Sequence, residues 1–137
     1  MDQLSAIITL HEGLKLKPYF DTVGKMTIGV GRNLDDVGIS HDEAFTLLSN
    51  DITNATIQLS QYLWFVKLDP VRQGVLIELV FNIGMSRFLQ FNDMIAALKV
   101  LDYTKASNEL LDSLWANQVG HDRASNMARR LLLGRYP

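Results

Sequence analysis

Cysteine is absent from the 137 residues of this chain. No disulfide can staple the fold, and thiolate metal sites and thiol redox chemistry are excluded. An excess of one charge is missing too: 13 Lys and Arg stand against 15 Asp and Glu, a formal charge of −2. Without a basic field, no nucleic-acid partner is expected. Long apolar runs are also missing. The most apolar stretch, residues 75–83, is interrupted by Glu78 and Asn82 and falls short of the roughly 20 residues that cross a bilayer. The opening residues, MDQLSAIITLHEG, lack a charged segment followed by a long apolar run and a small-residue cleavage site. No signal peptide is therefore expected. His11, His41 and His121 are scattered and form no metal-ligand spacing, so neither a metal nor another cofactor is expected.

What is present is an ordinary globular composition. Hydrophobic residues make up 47% and charged residues 20%, which excludes a disordered chain. Residues 2–11 predict a short helix, with Leu4, Ile7, Ile8 and Leu10 on one face. Residues 17–20, 25–28 and 30–32 read as short antiparallel strands with a turn at Val23 and Gly24. Ser40, followed three residues later by Glu43, has the capping-box spacing. Ala44, Leu47, Leu48, Ile52, Ala55 and Leu59 continue a helical stripe to about residue 61. Asp69 and Pro70 mark a second helix start, and Gly84 a stop. Residues 92–101, 103–115 and 122–133 carry further helical patterns. The fold class expected is α+β, mostly α: a small three-strand lobe, a long connecting helix and a helical lobe.

Glycoside hydrolysis commonly uses two carboxyl groups across a cleft, one protonated and one ionised. Glu12 closes the first helix, Asp21 follows the first strand and Thr27 lies on the next. A hairpin returning after a helix end would bring the three to one rim. Partial burial would raise the pKa of Glu12, while Asp21 at a turn stays charged. The alternative is that Glu12 is a solvated residue at a helix end and Asp21 a turn former. Spacing alone leaves both open.

The segment HEGLKLKPYFDTVGKMTIGVGRN resembles the catalytic signature of the phage-type lysozymes, glycoside hydrolase family 24. Glu12, eight residues, Asp21, five residues and Thr27 reproduce its spacing, and Gly13, Gly24, Gly29 and Gly31 also match. The likeness continues through residues 39–51, through Val80-Phe81-Asn82-Ile83-Gly84 and Phe91-Asn92, and through Trp115, Asn117-Gln118 and Arg123-Ala124. The resemblance implies a lysozyme-like, two-lobe fold in one domain spanning residues 1–137. Its lobes would be residues 12–50 and residues 62–137 plus helix 2–11, joined by helix 41–61. It implies an endolysin that hydrolyses the β-1,4 bond between N-acetylmuramic acid and N-acetylglucosamine. Glu12 would be the general acid, and Asp21 with Thr27 would position the attacking water. That is the inverting arrangement, with carboxyls about 6.5–9.5 Å apart. The partner expected is the peptidoglycan glycan strand, met by a monomer held in the host cytoplasm until holin-assisted release to the wall. The last predicted helix stops just before Tyr136 and Pro137, so the domain is expected to be complete.

The resemblance also marks Arg32, Asn33, Phe81 and Arg123 as candidate substrate contacts. Arg32 stands where the family often has His, a permanent cation in place of a titratable one. It is expected to pair with Glu12 or with a substrate carboxylate, a surface cation being the plain alternative. Phe81 reads equally as core or cleft lining. Arg123 is expected to reach the cleft or an acidic residue of the other lobe. Met94 and Glu109 fall at family contact positions but differ in kind, and no role is carried over to them. Asp122, Arg129, Arg130 and Arg135 read as a solvated or membrane-facing charged face.

Overall fold

The computed structural model describes residues Met1–Pro137. Two compact units are present, Met1–Leu47 and Leu48–Pro137. The first holds helix α1 (Gln3–Glu12), strands β1 (Lys15–Phe20), β2 (Met26–Gly29) and β3 (Arg32–Asn33), and the start of helix α2 (His41–Ser60). The three strands form one antiparallel sheet in the order β1-β2-β3. Tyr19 pairs with Thr27, and Thr27 in turn with Asn33, so Thr27 sits on the central strand.

Local chemistry accounts for these boundaries. Asp2 caps α1 by accepting from the Ser5 amide at 2.7 Å, and Gly13, at φ 78°, ends it. Ser40 and Glu43 form the expected reciprocal cap of α2. The Glu43 amide donates to Ser40 Oγ, and the Ser40 amide to Glu43 Oε2. The strand expected at residues 30–32 is corrected: Val30 and Gly31 form the turn between β2 and β3. Gly29 and Gly31 both have φ 70°, a backbone that breaks a strand. The expected apolar face of α1 is present but not buried; Leu4, Ile7, Ile8 and Leu10 are all exposed. Contacts group this helix with the sheet.

The second unit is entirely helical. After the remainder of α2 come α3 (Leu63–Val66), α4 (Pro70–Ile83), α5 (Met85–Phe88), α6 (Asn92–Lys99), α7 (Tyr103–Leu111), α8 (Leu114–Val119) and α9 (His121–Leu133). Its core gathers Leu59, Phe65, Leu76, Leu79, Phe88, Met94, Leu98, Leu110, Met127 and Leu131. Each such side chain contributes roughly 1.5–3 kcal/mol on burial. The single helix expected over residues 103–115 is broken at Asp112 and Ser113. Ser113 adopts extended backbone, and its hydroxyl accepts from the Ala116 amide at 3.2 Å, so it caps a new helix. No helix is long and apolar enough to cross a membrane.

Candidate active site

The first unit carries Glu12, Asp21, Thr27, Arg32 and Asn33, five of the residues singled out in the sequence. Thr27 is the one buried residue of that unit, 3% exposed. Its hydroxyl donates to the Lys25 carbonyl at 3.0 Å. Asp21 sits in the β1–β2 turn, where Oδ1 accepts from the amides of Val23 at 3.0 Å and Lys25 at 2.8 Å. The Asp21 amide closes the turn on the Lys25 carbonyl at 2.9 Å. The backbone of Lys25 therefore joins Asp21 to Thr27. Both amides fall on one carboxylate oxygen of Asp21, and the Thr27 proton is committed to a carbonyl. The remaining acceptor capacity of the pair is oxygen lone pairs, suited to receive the protons of a water.

Glu12 is the last residue of α1, and the partial burial expected of it is corrected: it is exposed. Its side chain lies against the β2–β3 turn. A Cβ added to Gly31 would stand 2.8 Å from Glu12 Oε2. The helix end and the turn thus converge on the carboxyl.

Arg32 lies elsewhere than expected. Its guanidinium forms a two-pronged bond with Glu43, at 2.8 and 2.7 Å, and donates to the Gly38 carbonyl at 3.1 Å. No pairing with Glu12 occurs. Hydrogen bonds from the Arg32 guanidinium, joined by that from the Ser40 amide, hold the Glu43 carboxyl down to about 2. The same pairing raises the Arg32 pKa. Asn33 is engaged in its own turn, donating to Asp36 Oδ2 at 3.0 Å and accepting from the Asp36 amide at 2.9 Å. Glu43 was legible as a cap, but nothing in the sequence marked it as the partner of Arg32.

The other candidates belong to the second unit. Phe81 is 46% exposed and borders a recess of about 320 Å³ with Asp51, Asn54 and Gln58. Met94 is buried, and Glu109 is half-buried; both line a cavity of about 330 Å³ floored by Trp115. The Trp115 indole donates to Asn82 at 2.9 Å. Arg123 reaches Glu78 at 3.3 Å, an acid of its own unit, on α4. Arg130 is a correction to the charged-face reading. It is only 8% exposed and pairs with the other oxygen of Glu78. Arg129 and Arg135 are exposed. No group of three or more His, Cys, Asp or Glu is gathered closely enough to hold a metal ion.

A small antiparallel sheet with an Asp–Thr pair at its first turn, an acid ending the helix before it and a helical unit following fit the class of a lysozyme-like glycosidase. The chain belongs to the phage lysozyme family: the family model described as Phage lysozyme matches residues 9–131. That family is one of glycosidases acting on peptidoglycan. The endolysin of Acyrthosiphon pisum secondary endosymbiont phage 1 is 35% identical over 109 residues, covering 77% of this chain and 73% of the relative. The pre-baseplate central spike protein Gp5 of Enterobacteria phage T4 is 28% identical over 163 residues and covers 96% of this chain. The chain spans only 28% of the length of that spike protein. The SAR-endolysin of bacteriophage PS34 is 27% identical, covering 87% of this chain and 71% of the relative.

Proposed function

We propose that this chain is an active muramidase, working as a single domain and as a monomer, that hydrolyses the β-1,4 bond between N-acetylmuramic acid and N-acetylglucosamine. Glu12 protonates the glycosidic oxygen as the bond breaks. Asp21 accepts one proton of a water and the Thr27 oxygen orients it, so that the water attacks the opposite face of the sugar. This is the inverting course, in which the second carboxylate acts on water and not on the sugar. The observation that carries the reading is the join of Asp21 and Thr27 through the Lys25 backbone. Both acceptors are held by one short turn before any substrate arrives, which removes reorganisation from the reaction.

Arg32, Asn33, Phe81 and Arg123 are assigned lesser parts. Phe81 offers an exposed aromatic face to a sugar ring. Arg32, Asn33 and Arg123 already have protein partners, and their contribution is to hold loops and helices that meet the glycan. Holin-assisted release from the host cytoplasm remains our reading of the route to the wall. Two of the relatives above are named endolysins, which favours cell lysis over a part in a virion spike.

Clearing of outer-membrane-permeabilised Gram-negative cells tests the activity. Glu12→Gln should clear them at least about 100-fold more slowly, the usual contribution of a general acid. Equal clearing by both proteins would refute the role of Glu12, and no clearing by wild type would favour a wall-binding domain without catalysis.

A further inference from the structure

Two glycines, one ending β2 and one in the turn that follows, have the same backbone demand and different surroundings. Gly29 and Gly31 both have φ +70°. An added Cβ at Gly29 meets nothing within 4 Å. At Gly31 its three nearest neighbours would all belong to Glu12: Oε2 at 2.8 Å, Cδ at 3.1 Å and Cγ at 3.3 Å. The whole outer half of the Glu12 side chain therefore lies along the space that a side chain at residue 31 would fill.

We propose that Gly31 is a positioning residue for Glu12: the missing side chain reserves the seat of the carboxyl. This rests on the reading of Glu12 as the general acid. The carboxyl is the free end of a flexible side chain, so a methyl group at residue 31 displaces the carboxyl and leaves the turn in place. Proton transfer needs heavy atoms within about 2.6–3.2 Å. A displacement of about 1 Å from the productive position can slow a reaction by about 100-fold. Binding of the glycan draws on many other contacts and is little changed. The predicted signature is a fall in kcat with KM held.

The two glycines supply their own control. Gly31→Ala and Gly29→Ala both force alanine into left-handed backbone and should lower the melting temperature alike. Only Gly31→Ala should also lower kcat for release of reducing ends from solubilised glycan strands, by about 10–100-fold. Gly29→Ala should stay within about two-fold of wild type, there being nothing near its Cβ to displace. Equal kcat values for the two variants overturn the proposal. If circular dichroism shows Gly31→Ala unfolded, Gly31→Asn and Gly29→Asn repeat the comparison, since Asn tolerates this backbone. Failure of the underlying reading looks different. In that case Glu12→Gln itself remains active. If only the present inference fails, Glu12→Gln is inactive while Gly31→Ala matches Gly29→Ala.

Discussion

Arg32 illustrates how one side chain can change its meaning between sequence and structure. The sequence placed a permanent cation near a presumed acid. The folded chain gives both prongs of that cation to Glu43, tying β3 to the first turn of α2. The linkage has a definite sign. Glu43 has its carboxyl depressed to about 2, below its unfolded value near 4.3. Its contribution to stability is therefore present above about pH 4.3 and is lost as pH falls toward 2. Melting temperatures of wild type and Glu43→Gln, measured from pH 7 to pH 2, should converge as the acid limit is approached. Between pH 5 and 8 the wild-type pair should be insensitive to pH. Restoring the residue the family often carries, by Arg32→His, should change that. A His beside Glu43 has its pKa raised, so its stabilisation is complete below about pH 6.5 and fades as pH rises through the folded value. A melting temperature for Arg32→His that stays flat from pH 5 to 8 would argue against the pairing.

At the scale of elements, the helix caps were the most legible feature. Asp69 accepts from the Arg72 amide with Pro70 following it, and α4 ends at Gly84, as the residue types require. Residues 30–31 and 112–113 were misread because periodicity cannot see a turn inside an apolar pattern. The cue was present in each case: paired glycines in the first, a Ser after Asp in the second. One-turn helices α3 and α5 have no periodicity to read. Removing the Ser113 cap by Ser113→Ala should cost about 1 kcal/mol, seen as a lowered urea midpoint. A midpoint equal to wild type would mean that α7 and α8 are separated by something other than this cap. The catalytic candidates were legible as residue types and spacing. Their connection through Lys25 was not, because it runs through backbone groups that carry no side-chain signature.

At the scale of the molecule, the hydrophobic core lies in the second unit. The sheet unit shows instead turns, caps and exposed ion pairs such as Lys25–Asp36 at 3.2 Å. Inside the helical unit, Glu78 on α4 serves Arg123 and the buried Arg130, both on α9. Composition could not show that Arg130 is internal, since a charged residue on a helix is usually solvated. Glu78→Gln leaves Arg130 without a counter-charge, and with Glu78 itself about one-third exposed a loss of about 1.5–3 kcal/mol is expected in denaturant unfolding. Loss below about 1 kcal/mol would show that the pair is solvated. The most direct test of the central claim is the chemistry of the product. Mass spectrometry of muropeptides released from purified peptidoglycan should find hydrated reducing ends with wild type and almost none with Glu12→Gln. Anhydro ends, or hydrated ends released equally by Glu12→Gln, would contradict it.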